Sequence, residues 1–358
     1  MSVQIKTKQS FKFSEILLKW NRESNKREMP WKGEKDPYKI WLSEVLLQQT
    51  RVDQGLKYYE KFIESFPNIH KLAIAPEQKV YKLWEGLGYY TRCRNLMETA
   101  KHISKNLKGK FPDSYEEIKK LKGVGPYTAA AIASFAFNKP YAVIDGNVFR
   151  VLARIFNIKK PIDSTEGKKF FNQQANELIN TKKPGLYNQA IMDFGATICK
   201  PVPVCNLCPF NTCCKAFLND KTSSLPVKSK KTVIQKRRLN YLVLEYKGKL
   251  AIRQRVEKDI WHKLYEFLSI EYNPSLHKQR ILKEIKNKGW LKKNGFEIKS
   301  VSPIFRQQLS HQIIEGNFIK LKLEQKPNLP KDIFWISESE LRNYAFPKFI
   351  NQYLQSKV

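Results

Sequence analysis

Apolar residues recur three or four positions apart through most of the first 220 residues, the spacing that puts one stripe along an α-helix. This periodicity predicts helices over 15–20, 41–54, 58–66, 77–87, 95–107 and 129–137, separated by breaks such as Pro67, Pro76 and Phe111-Pro112. The pattern changes in the last third. Residues 219–238 are polar and basic with one proline, and read as a linker. Residues 239–246 and 250–255 are then rich in β-formers, with Lys247-Gly248-Lys249 between them, a hairpin signature. Residues 318–323 alternate in the same way. A mainly helical region followed by a separate α/β domain is therefore expected. No internal repeat or low-complexity tract is visible.

Composition narrows the setting. The 358 residues are enough for two or three domains, and 42% hydrophobic content is enough for a large core without disulfide staples. No apolar run approaches the length of a membrane span, and Met1 to Ser10 lack an apolar signal core. An intracellular, soluble protein is expected. The net charge is +32, from 65 Lys plus Arg against 33 Asp plus Glu. Such an excess attracts polyanions, with nucleic acid the first candidate, although Lys-rich composition alone also fits a genomic bias.

Five of the six cysteines fall within sixteen residues, which in a reducing compartment points to a metal site rather than disulfides. Cys199, Cys205, Cys208 and Cys214 have the spacing C-x5-C-x2-C-x5-C. Soft thiolate sets suit zinc or a [4Fe–4S] cluster. Only one close pair exists, where a zinc ribbon has two, and this favours a cluster held in one loop. Cys213 stands beside Cys214 and is an alternative ligand, while the isolated Cys93 reads as a small buried hydrophobe. Upstream, Leu121-Lys122-Gly123-Val124-Gly125-Pro126-Tyr127 places two glycines and then a proline where a helix would start. Such a turn can present backbone N–H groups to phosphate at a helix N-terminus. Alone it is equally the signature of a helix packing corner.

Together with these features, the run from Trp41 to Val52, Gly86-Leu87-Gly88-Tyr89-Tyr90 and Val143-Ile144-Asp145-Gly146-Asn147-Val148 resemble, in order, the motifs of the MutY-type adenine DNA glycosylases. The resemblance runs from about Asn25 to Cys214. It implies a mainly α helix-hairpin-helix glycosylase core with a [4Fe–4S] cluster loop, followed by a C-terminal α/β Nudix-like domain. The implied division is a helical glycosylase region over 1–218, a linker over 219–238 and an 8-oxoguanine recognition domain over 239–358. Within the first region a six-helix barrel would span about 28–142, and the N-terminal helix would join about 143–218 in a cluster domain.

The implied chemistry needs an acid for the adenine ring and a negative group beside the oxocarbenium-like sugar. By resemblance these are Glu44 and Asp145, with Tyr127 and Asn147 in the same catalytic set. The apolar neighbours Val45, Leu46 and Leu47 suit an acid whose pKa is raised by desolvation. Outside this context Glu44 would read as a solvated helix charge and Asp145 as a turn former. The bifunctional relatives of the endonuclease III type carry a Schiff-base lysine at the position of Tyr127. A phenol cannot make that bond, so a monofunctional glycosylase is implied. The target base must leave the duplex. The resemblance places Trp31, Lys32 and Asp193 at the adenine pocket, and Gln49, Thr50, Leu87 and Tyr89 against the DNA beside the lesion. It places Gly123, Val124 and Gly125 on the DNA backbone and Ser310 near 8-oxoguanine. Lys32 and Asp193 stand where many members have Arg and Glu, and the first cysteine spacer is one residue shorter than usual.

In the last third, 259–267 resemble a strand of the Nudix-like domain and Leu309-Ser310-His311 its lesion loop. Residues 281–288 supply one acid, Glu284, where a Nudix hydrolase needs several, so no pyrophosphatase is expected. The expected partner is double-stranded DNA with an adenine paired to 8-oxoguanine or guanine. The protein is expected to act as a monomer in the bacterial cytoplasm, associated with the nucleoid. A non-catalytic damage sensor and an endonuclease III-like lyase are the alternatives. Glu44 with Asp145 speaks against the first, and Tyr127 with the extra domain against the second.

Overall fold

The computed structural model describes residues 7–229, 233–271, 290–291 and 295–356. In chain order the helices are α1 (Thr7–Glu23), α2 (Pro37–Leu47), α3 (Val52–Ser65), α4 (Ile69–Ala73), α5 (Glu77–Trp84) and α6 (Tyr90–Asn106). They continue with α7 (Tyr115–Lys120), α8 (Pro126–Phe135), α9 (Gly146–Phe156), α10 (Thr165–Leu178), α11 (Pro184–Thr197) and a last helix, α12 (Lys348–Gln355). The strands are β1 (Gln235–Tyr246), β2 (Lys249–Gln254), β3 (Tyr265–Glu266), β4 (Leu268–Glu271) and β5 (Phe296–Val301). They end with β6 (Phe305–Gln308), β7 (Gln312–Gly316), β8 (Phe318–Leu323) and β9 (Ile333–Ser337). The chain forms two compact units. One joins Met1–Ile74 to Arg94–Lys231, and the other joins Ala75–Cys93 to Thr232–Val358.

The first unit is helical, and its helix starts are written in the sequence. Asp36, Asn68, Ser114, Asp145 and Ser164 each accept a backbone N–H from the first turn of the helix that follows. Proline opens α2, α8 and α11, where a missing N–H costs nothing. Leu17, Trp20, Leu152, Phe171, Phe194 and Phe210 fill one core beneath α1, α9, α10 and α11. The periodicity over 41–54 predicts one helix, but the chain breaks between α2 and α3. Gln48 turns extended and Gln49 is left-handed with φ 58°. Apolar spacing carries no trace of a break made by two polar residues.

In the second unit β1 is the spine of the sheet. Its first half runs parallel to β7, from Gln235↔Gln312 to Arg238↔Glu315. Its second half runs parallel to β8, from Tyr241↔Phe318 to Glu245↔Lys322. The strands β4 and β2 pair with it antiparallel. The hairpin at Lys247-Gly248 forms as expected, with both residues left-handed. Strand β1 starts at Gln235, within the stretch whose composition reads as linker. Most of 259–267 is turn rather than strand, because Asp259 accepts the Trp261 N–H at 2.9 Å and only Tyr265–Glu266 join β2. Leu242, Leu244, Ile319 and Leu321 form one buried face. On the other, Tyr241 and Phe318 pack against Phe349 and Tyr353 of α12. Residues 281–288, with Glu284, lie outside the described residues.

Gly316 sits where β1 passes from β7 to β8, and an ideal Cβ there would lie 1.6 Å from the Leu239 carbonyl oxygen. That neighbour is backbone and cannot rotate away. Gly316→Ala is expected to destabilise the protein by about 2–3 kcal/mol, as overpacking does. Urea unfolding followed by tryptophan fluorescence checks this, and an unchanged midpoint would remove the steric argument.

Candidate active site

The helix α2 is covered on nearly all sides, with Tyr38 and every residue from Ile40 to Leu46 buried. That leaves Glu44, in its last turn, only 6% exposed. Its carboxyl faces a cleft of about 900 Å³ lined also by Trp31, Lys32, Tyr127, Asp145 and Asn147. Burial pushes Glu44 up from its ordinary 4.5 to about 7. A hydrogen bond with the Tyr127 hydroxyl works the other way, and the Asp145 charge adds to the rise. Its own burial raises Tyr127 well above the usual phenol value, with the charges of Glu44 and Asp145 and the same hydrogen bond adding to the rise.

Asp145 is fixed by its position before α9. One carboxylate oxygen accepts the Val148 N–H at 2.7 Å and the other accepts Asn147 Nδ2 at 2.8 Å. Burial raises its pKa, and these hydrogen bonds with the nearby Arg150 charge oppose the rise. Asn147 is held in turn, since its Oδ1 accepts Arg150 Nη2 at 2.8 Å. Arg150 also donates to the carbonyls of Gly195 and Cys199, so the start of α9 is tied to the cysteine loop.

On the rim, α7 and α8 are joined by a tight turn. Gly123 is left-handed with φ 77°, and a Cβ there would lie 2.6 Å from the Asn95 side chain. Gly125 precedes α8 and has open space where a side chain would be. Leu121 and Val124 are buried and pin the turn from beneath. Gln49 and Thr50 lie on the same cleft, Gln49 exposed.

Asp193 is fully buried and does not line the cleft. Its carboxylate accepts from Arg27 Nη1 at 2.9 Å, Asn25 Nδ2 at 2.9 Å and Gln189 Nε2 at 3.0 Å. Lys32 Nζ lies 3.3 Å from it and donates to the Arg27 carbonyl at 2.8 Å. The shorter acid thus acts as a counter-ion that fixes Arg27, Lys32 and Gln189 on the cleft wall. The sequence did not single out Arg27, Gln189 or the cleft-lining Met192. The partners of Arg27 and Met192 lie 166 and 65 residues away, beyond the reach of any local pattern.

Cys199, Cys205, Cys208 and Cys214 line one small pocket, while Cys213 is exposed and outside it. Arg154, buried, donates to the Lys200 and Pro201 carbonyls and lies 3.6 Å from the Cys199 sulfur. Among the described residues no three Cys, His, Asp or Glu side chains converge closely enough to hold a single ion. The four thiols ring a shared space instead.

In the second unit, Gly86, Gly88 and Tyr89 are all left-handed, with φ of 94°, 74° and 48°. Leu87 is buried between them, and Tyr89 is turned outward. The Tyr89 hydroxyl donates to Ser310 Oγ at 3.0 Å, and Ser310 contacts His311 Nδ1 at 3.2 Å. Among the described residues no helix is long and apolar enough to cross a membrane.

A helix–hairpin–helix rim over a buried carboxyl, beside a four-cysteine loop, defines a class. Residues 42–179 match the HhH-GPD superfamily base excision DNA repair proteins, and residues 240–356 match the NUDIX domain. The chain is 36% identical over 355 residues to an adenine DNA glycosylase of Buchnera aphidicola subsp. Schizaphis graminum, covering 96% of this chain and 98% of the relative. It is 38% identical over 303 residues to the one of Buchnera aphidicola subsp. Baizongia pistaciae, covering 84% and 83%. A thermostable thymine-DNA glycosylase structure superposes with a TM-score of 0.55 at 29% identity, covering 59% of this chain and 98% of that one. The chain belongs to the adenine DNA glycosylase family.

The buried acid carries a stability signature. Glu44 titrates at about 7 in the folded protein against 4.5 ordinarily, so the native state binds its proton more tightly. Its contribution to stability is therefore lost as pH rises through that interval. Glu44→Gln should match the native protein near pH 4.5 and be more stable by roughly 2–3 kcal/mol at pH 8. Thermal unfolding at both pH values checks this, and an equal difference at the two would contradict the raised pKa.

Proposed function

We propose that this chain is a monofunctional glycosylase that hydrolyses the N-glycosidic bond of adenine mispaired with 8-oxoguanine, or with guanine, in base excision repair. The observation that carries the reading is the Glu44 carboxyl, buried at the floor of the cleft and titrating at about 7, beside a hydrogen-bonded Asp145. At neutral pH a large fraction of Glu44 holds its proton. It gives that proton to a ring nitrogen of the flipped adenine, which makes the base a competent leaving group. The bond from the sugar C1′ to the base breaks, and the electron pair leaves with adenine. Asp145 stabilises the oxocarbenium-like sugar by its negative charge. Water then adds to C1′ and its proton returns to the Glu44 carboxylate, leaving free adenine, an abasic sugar and the acid restored. Asn147 and the Val148 N–H keep Asp145 aimed, and Tyr127 orients Glu44. Tyr127 offers no amine, so no Schiff base forms and the strand stays intact.

Other parts of the reading rest on placement. The Gly123–Val124–Gly125 turn would present backbone N–H groups to phosphate, with the basic chain attracting the duplex. Lys32 and Trp31 would border the adenine, with Asp193 behind Lys32 as its counter-ion. Gln49, Thr50 and Leu87 would meet the DNA beside the lesion, Tyr89 would wedge into the stack, and Ser310 would meet 8-oxoguanine. Cys199, Cys205, Cys208 and Cys214 would hold one [4Fe–4S] cluster, which suits four thiols spread around a pocket with the Arg154 cation at its edge. When bound, the cluster would hold this loop in place and supply no group to bond cleavage. The likeness to two bacterial relatives supports a bacterial setting, in which the chain would act as a monomer in the cytoplasm, associated with the nucleoid.

The acid role predicts a rate profile. Single-turnover excision from an 8-oxoguanine:adenine duplex should be fastest below pH 7 and fall as pH rises through about 7, where Glu44 loses its proton. Glu44→Gln should lower the rate by about 10³-fold, within the usual range for general acid catalysis, while mispair binding survives. A pH-independent rate, or an active Glu44→Gln enzyme, would remove Glu44 from this role.

A further inference from the structure

Tyr89 is exposed, with 41% of its surface accessible, yet it is held on several sides. Its backbone is left-handed, a conformation that tyrosine adopts only when the surroundings impose it. One turn into α6, Arg92 donates its backbone N–H to the Tyr89 carbonyl at 2.8 Å. The Arg92 guanidinium then folds back beneath the ring, 5.5 Å from its centroid. The same guanidinium lies over the fully buried Trp84, 5.2 Å from its centroid. Arg92 Nη2 donates to the Gly88 carbonyl at 3.4 Å, and Trp84 Nε1 donates to the same oxygen at 3.0 Å. Burial draws Arg92 down to about 10, so it stays cationic at neutral pH.

We propose that Arg92, in cation–π contact with both Trp84 and Tyr89, is a positioning residue that fixes the Tyr89 ring for insertion beside the lesion. The inference rests on the reading of Tyr89 as a wedge and adds the group that aims it. A ring that must enter a base stack loses rotamer freedom on binding, and one already fixed loses less. The planar guanidinium suits the task because it stacks on two aromatic faces at once while one edge keeps a hydrogen bond. Ser310 holds the hydroxyl end, and Arg92 holds the face.

The test is a double-mutant cycle on the full chain: Arg92→Met, Tyr89→Ser and the pair, with Arg92→Lys and thermal unfolding of each as folding controls. The readouts are affinity for an 8-oxoguanine:adenine duplex, affinity for undamaged duplex, and fluorescence of a 2-aminopurine placed beside 8-oxoguanine. Arg92→Met should weaken lesion binding roughly 5- to 30-fold, the range of a partly desolvated cation–π contact, and leave undamaged DNA unaffected. It should lower the unstacking signal, and add nothing once Tyr89 is serine. Arg92→Lys, which keeps the charge and loses the plane, should fall between. Additive losses in the cycle, or equal weakening on lesion and undamaged DNA, would overturn the role of Arg92 while leaving the wedge intact. A flat Tyr89→Ser arm would instead remove the wedge reading itself, and the role of Arg92 with it.

Discussion

A carboxyl group kept out of water at the end of a helix is the constraint around which this protein is arranged. Glu44 costs stability at neutral pH because its charged form is poorly solvated. The apolar cover of α2 removes water, the Tyr127 hydroxyl supplies one hydrogen bond, and Asp145 adds a nearby negative charge. These effects oppose one another and leave the group poised near neutrality rather than locked in either state. Such a balance suits a proton donor and has no evident use in a purely structural helix.

Burial raises the pKa of the second carboxylate too, but its charge has more hydrogen-bond support. Asp145 accepts two hydrogen bonds within its own helix start, and its neighbour Asn147 is anchored by Arg150 to the carbonyl of Cys199. The position of the cleft's anion is thus set by the same loop that carries the cysteines. Arg154 fixes that loop from within by donating to the carbonyls of Lys200, Pro201 and Leu225. The cysteine loop and the cleft therefore share two arginines of one helix. Losing the fold of the loop would be felt at Asp145 through Asn147.

What the sequence made legible was local. The helix starts at Asp36, Ser114 and Asp145, the glycine turn before α8 and the hairpin at Lys247-Gly248 all follow from short-range chemistry. Glu44 and Asp145 were legible only as members of ordered motifs, since nothing in a single acidic residue tells burial from exposure. Elements fixed by distant partners were not legible. The interruption at Gln48 and Gln49 involves two polar residues that an amphipathic pattern passes over. The turn at Asp259 depends on a side-chain hydrogen bond and on Arg255, which in turn meets the buried Glu266. Asp193 reads as a pocket residue by position, yet its burial and its bonds to Asn25 and Arg27 make it a support for the wall. Adjacent Cys213 and Cys214 cannot be told apart by spacing, whereas packing leaves one exposed and draws the other into the pocket.

Under the proposed function, buried Glu44 and fixed Asp145 release adenine while Tyr127 leaves the strand uncut. The most direct test is single-turnover reaction on a duplex with adenine opposite 8-oxoguanine, sampled with and without alkali. A product strand is expected only after alkaline cleavage at the adenine position. Strand scission without alkali, or no alkali-labile site at all, would contradict it.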